Sequence, residues 1–135
     1  MSLDRVNPPE LGKPSGFSHA VAVPAGARIV FLAGQTAQDD TGKMIPGLDL
    51  VQQFELSLER LLLVLAAAGG QPSDIAKMNI LTPSAAAYRA RAAELGEVWR
   101  RLVGRDYPAM TLAGVTSLWD PEALVELEAY AVVPG

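Results

Sequence analysis

Val125-Glu126-Leu127-Glu128-Ala129-Tyr130, VELEAY, lies inside ALVELEAYAVV near the end of the chain. Val125, Leu127, Ala129 and Ala131 alternate with Glu126, Glu128 and Tyr130. This period of two predicts a strand with one buried face. The other face then carries two carboxylates and a phenol. It looks either at open water or into a cleft shared between subunits.

The elements before this strand say what covers its apolar face. WDPE, Trp119 to Glu122, reads as a turn, and AMTLAGVTSL, Ala109 to Leu118, as the strand before it. Ahead of that, Tyr88, Ala92, Leu95, Trp99 and Leu102 make one face of a helix that Ser84 can cap and Gly104 closes. IAKMNILT, Ile75 to Thr82, is a strand ended by Pro83. Leu50, Phe54, Leu58, Leu61, Leu62, Leu65 and Ala68 form the stripe of a longer helix, with Asp49 as its N-cap and Gly69-Gly70 at its end. RIVFLAG, Arg28 to Gly34, reads as a buried strand, PAGA before it as a turn, and HAVAV, His19 to Val23, as a first strand. Residues 1–15, rich in Pro and Gly, read as a flexible N-terminal arm with little to pack, and residues 16–135 as one domain. The order β-β-α-β-α-β-β predicts an α+β fold, one sheet with two helices on one face. The uncovered face would carry Glu126, Glu128 and Tyr130 and suits an interface.

The bulk numbers narrow the function. At 135 residues the chain suits one domain with one core. It has 11 Lys and Arg against 15 Asp and Glu, a balance that does not favour nucleic acid or an anionic membrane as partner. With no cysteine, disulfides and thiolate metal sites are out of reach. The start of the chain has no signal-peptide pattern, and its longest apolar run, Leu61 to Ala68, is short of the roughly 20 residues that span a bilayer. The expectation is a cytoplasmic protein.

FLAGQTAQDDTGKMIPG with Gln53 after it, then LAAAGG, SDIAKMNI, YPAM and LVELEAYAV together resemble the Rid family, also called YjgF, over residues 16–133. The GQ after the second strand, the D-x-x-G-x-x-x-x-G loop, the AAGG helix end and the terminal ELEA are its most specific pieces. The resemblance implies a chorismate-mutase-like fold and a homotrimer with helices outside and three clefts between neighbours. It also implies hydrolysis of imines or enamines to keto acids and ammonia, with no metal or organic cofactor. On this reading Glu126 faces a subunit interface, and Leu127 and Ala129 face the helices.

Imine hydrolysis needs a cation for the substrate carboxylate, a base for water and oriented donors for the transition state. In deaminase-active relatives the cation is an arginine two residues after a proline. Here that run is Pro108, Ala109, Met110, and methionine cannot pair with a carboxylate. Phe17 stands where those relatives have an aromatic hydroxyl, and Ala92 or Ala93 where they have an asparagine. Glu126 and the Gly34 backbone match. A lost charge-assisted pair costs about 1.5–3 kcal/mol, so amino-acid-derived imines are expected to bind poorly. Arg105 is either a substitute cation or a solvated loop arginine. Met110, Leu112 and Trp119 would make the cleft more apolar, unless Met110 simply packs.

His19, the only histidine, is either a proton carrier near Phe17 or a structural residue at a strand start. Arg89, Arg91, Arg100 and Arg101 suggest a basic strip, as a ribonuclease or translation inhibitor would need, but Glu94 and Glu97 interrupt it. The expected partners are a small-molecule ligand and two further copies of the chain. The expected activity is hydrolysis of a C=N bond with a water held by Glu126, with non-catalytic ligand binding or regulation as the alternative.

Overall fold

A computed structural model describes residues 3–134. Residues 1 and 2 of the expected arm, and Gly135 of the expected domain, lie outside them. The main sheet has four strands: β3 (Arg28–Gln35), β4 (Ile75–Thr82), β5 (Ala109–Gly114) and β6 (Glu126–Val133). Their order across the sheet is β3-β6-β4-β5. The strand that contains the ELEA stretch is therefore central, antiparallel to both neighbours, and β5 runs parallel to β4 at one edge.

Three helices lie on one face. α1 (Leu50–Ala67) starts at Asp49, whose carboxylate accepts from the Gln52 N–H while the Gln52 side chain accepts from the Asp49 N–H. This reciprocal cap satisfies two otherwise unpaired donors. The helix ends at Gly69, with φ of 90°, and the Gly70 N–H returns to the Leu65 carbonyl at 2.9 Å. Gly70 is also required sterically, since a Cβ there would stand 2.4 Å from Leu65 Cδ1 and 2.8 Å from Val133 Cγ1.

The apolar stripe of α1 meets the sheet as its spacing predicts. Leu58, Leu61 and Leu65 are fully buried against Met78, Leu127, Ala129 and Ala131. The alternation in β6 holds: Leu127 and Ala129 are buried, Glu126 and Glu128 half-buried, and Tyr130 exposed.

Four features differ from expectation. β3, read as a buried strand, buries only Leu32, because the helices cover one of its faces and leave Ile29 and Phe31 exposed on the other. The second helix is two, α2 (Ala85–Ala90) and α3 (Ala92–Leu102), broken at Arg91 with φ −110° and ψ 17°. The Arg91 guanidinium meets both carboxylate oxygens of Glu94, at 2.6 and 2.7 Å, and lies 3.7 Å from Asp49. The stretch read as an arm carries a strand, β1 (Asp4–Val6), paired antiparallel with β2 (Ala20–Ala22) in a separate small sheet. Leu3 is buried with Ala76 and Val132, so this hairpin covers one end of the sheet face that the helices leave open. The strand expected over Ala109 to Leu118 stops at Gly114, after which Val115 N–H bonds back to Thr82.

Candidate functional site

On the open face, side chains sit in rows across the strands. Phe31, Tyr130 and Lys77 form one row, Glu128, Asn79 and Thr111 the next, and Glu126, Leu81 and Ala113 the third. Phe31 and Tyr130 meet edge to face at 5.5 Å. Phe31 is 75% exposed and Ile29 56%, so an apolar patch borders the carboxylates. Asn79 donates to Glu128 Oε1 at 3.0 Å and Lys77 to Thr111 at 2.8 Å.

Glu126 opens β6 opposite an irregularity in β3. Leu32 pairs with Ala129 but Gln35 with Leu127, so three residues of β3 span two of β6 and Ala33 and Gly34 are left without partners. The Glu126 side chain lies in the space this makes. A Cβ on Gly34 would stand 2.8 Å from Glu126 Cδ and 3.0 Å from Oε1, so only glycine lets the carboxylate approach the backbone this closely. Burial, and then the charge of Glu128, raise the Glu126 carboxyl above its ordinary value.

Two long-range contacts hold this corner. Gln53, buried on α1, accepts from the Leu124 N–H at 2.8 Å and donates to the Glu122 carbonyl at 3.2 Å, fixing the turn that leads into β6. Arg60 donates to Gln35 Oε1 at 3.2 Å and to the Gln38 and Asp39 carbonyls at 3.0 and 3.2 Å. It ties the glycine loop to α1. Within that loop the Asp39 carboxylate accepts from the Thr41 hydroxyl and from the Thr41 and Lys43 N–H groups, which hold it below its ordinary value.

Met110 lies on the other side of the sheet. Its Cα partner is Met78 and that of Leu112 is Ile80, both buried beneath the helices. Met110 and Leu112 line a hollow of about 300 Å³ with Phe17, Ile80 and Tyr88. One chain therefore does not bring Met110 and Glu126 into one cleft. Phe17 is half-buried, edge-on to His19 at 5.0 Å. His19 is exposed, and its N–H donates to Asn7 Oδ1. Arg105 is exposed beside Arg5 and Lys13, whereas Trp119 stands out from the β5–β6 loop at 93% exposure. Burial pushes the Tyr88 phenol up to about 12.

Two of the four arginines of the basic strip are paired, Arg91 with Glu94 and Asp49 and Arg101 with Glu55. Sequence reading missed Asn79, whose signal was available: in IAKMNILT, Lys77 and Asn79 alternate with apolar residues and mark the polar face. It also missed Arg5 and Gln53 as organising residues, because their partners are 68 to 102 residues away.

Comparison with known proteins adds to this geometry. A family model described as endoribonuclease L-PSP matches residues 10–133. A RutC family protein of Pyrococcus horikoshii is 31% identical over 120 residues, 88% of this chain and 89% of that protein. The crystal structure of YyfB from Yersinia pestis, a Rid family protein of unknown function, superposes with a TM-score of 0.86 at 32% identity, covering 98% of this chain and all of that one. RidA from the Antarctic bacterium Psychrobacter gives a TM-score of 0.65 at 27% identity, covering 90% of this chain and 92% of that one.

Proposed function

This chain belongs to the Rid (YjgF) family of α+β proteins, and from that premise we propose a homotrimer that hydrolyses an imine, an enamine or a related C=N compound in clefts between subunits. The carrying observation is the carboxylate of Glu126 seated over unpaired Gly34, on the sheet face opposite Met110. A cleft that contains both needs a second chain. The exposed Ile29, Phe31 and Tyr130 beside Glu126 suit burial against a neighbouring sheet.

In this reading Glu126 accepts a proton from water as the oxygen attacks the carbon of the C=N bond. The N–H of Gly34 steadies the charge that develops. Glu126 passes that proton to the nitrogen, and transfer of the new hydroxyl's proton to the amino group then breaks the C–N bond, releasing ammonia and leaving a carbonyl. Phe17 and Met110 pack against the apolar part of the substrate, and the methionine makes an amino-acid-derived iminoacid a poor one. A cytoplasmic location belongs to the same reading.

Ammonia release from a panel of imines tests the mechanism. Turnover is expected with uncharged imines and lost in Glu126→Gln. Release that survives the substitution removes Glu126 from the mechanism. A non-catalytic ligand-binding role is the second reading, favoured by Met110 standing in an apolar hollow where an anion clamp would be. It predicts ligand binding without turnover across the panel. Ribonuclease action has less support, because Arg91 and Arg101 are already paired.

A further inference from the structure

The N-terminal segment builds a second cleft, away from Glu126. Its volume is about 670 Å³, and its lining includes Arg5, Asn7, Lys13, Phe17, Arg105 and Tyr107. Three of the 11 cations of a chain with net charge −4 converge there, and no acidic residue is among the lining. Asp4, Glu10 and Asp106 adjoin these residues in sequence, yet among the described residues none forms an ion pair with Arg5, Lys13 or Arg105.

The three cations differ in how they are held. Arg5 donates from Nε to the Tyr107 carbonyl at 3.2 Å and from Nη2 to the Ser73 carbonyl at 3.4 Å, which fixes the guanidinium and leaves Nη1 without a partner among the described residues. Lys13 and Arg105 are exposed and make no side-chain hydrogen bond or ion pair among the described residues. The cleft wall is itself anchored: the Ser18 hydroxyl donates to the Tyr107 carbonyl at 2.7 Å, and the Ser18 N–H to the Pro108 carbonyl at 2.9 Å. Asn7 uses its carbonyl oxygen for the His19 N–H, and its amide N–H groups have no acceptor among the described residues.

Like charges gathered on a concave surface without counter-charges repel one another, and an anion relieves that repulsion. A planar guanidinium already fixed by two carbonyls binds phosphate oxygens with little further ordering. Phe17 adds an aromatic surface beside the charges. We propose that this cleft binds a small phosphate monoester carrying a flat apolar group, with the phosphate among Arg5, Lys13 and Arg105 and the flat group on Phe17. The site uses neither Glu126 nor Gly34; it shares Phe17 with the hydrolytic reading, whereas Arg5 and Lys13 belong to it alone.

Calorimetric titration of the full chain with phenyl phosphate, inorganic phosphate and benzoate tests it. Phenyl phosphate is expected to bind saturably, more tightly than either of the others, and to weaken as salt rises. Lys13→Gln and Arg105→Gln, both exposed and without native partners to lose among the described residues, should each weaken binding about tenfold, while Arg89→Gln, an exposed cation outside the cleft, leaves it unchanged. Phe17→Leu should erase the advantage of phenyl phosphate over inorganic phosphate. The proposal is overturned by absence of saturable binding at millimolar concentration, by binding that Lys13→Gln and Arg105→Gln leave intact, or by benzoate binding as tightly as phenyl phosphate.

Discussion

At the scale of single residues, Glu126 is the candidate base, and its surroundings bear on that role. Its carboxyl is raised by burial first and by Glu128 second. A raised carboxylate is disfavoured as an ion in the folded chain, so it costs stability as pH rises through its shifted value and costs nothing below the ordinary one. Glu126→Gln should therefore raise the melting temperature at pH 8, by about 1–3 °C, and leave it unchanged at pH 4. Differential scanning calorimetry at the two pH values reads this directly. As a base, Glu126 must be ionised, so the acid limb of kcat/KM should fall above the ordinary carboxylate range. Glu128→Gln removes one of the two causes and should move that limb to lower pH. Gly34→Ala should displace the carboxylate, because the new methyl would occupy its place, and reduce ammonia release to the level of Glu126→Gln.

At the scale of elements, the apolar stripe of α1 and the alternation of β6 were legible because each is a local period that the core merely completes. The Arg91 break was not. AAAYRARAAEL holds only good or neutral helix formers, with no glycine or proline to announce a stop. Asp49, 42 positions earlier, joins Glu94 in holding the guanidinium there. The turn into β6 likewise depends on Gln53, which leaves the Leu124 N–H without an acceptor if it is removed. Gln53→Leu should cost about 1–3 kcal/mol in urea unfolding, because a buried donor loses its partner. Leu61→Ala, in the fully buried stripe, should cost about 2–5 kcal/mol by the same measurement.

At the scale of the whole molecule, the two sides of the sheet carry different halves of the candidate site. Glu126 looks away from the helices and Met110 towards them. Light scattering should give the mass of three chains for the native protein. Phe31→Asp, which leaves a residue already 75% exposed in the single chain, should reduce it to one without unfolding the chain. Circular dichroism that stays native while the mass falls separates loss of assembly from loss of fold. A native protein with the mass of one chain would remove the shared cleft.

Local pattern alone determined the two-sided character of β6, the length and caps of α1, and the family to which the chain belongs. Those features are written in residues a few positions apart, where period and steric preference act directly. Only the tertiary structure decided that the N-terminal stretch folds back to set Leu3 against Val132, that Arg91 interrupts a helix, and that a bulge at Gly34 makes room for the carboxylate of Glu126. Each depends on groups distant in sequence coming within a few ångströms, and the energy of such a contact has no counterpart in any local run of residues.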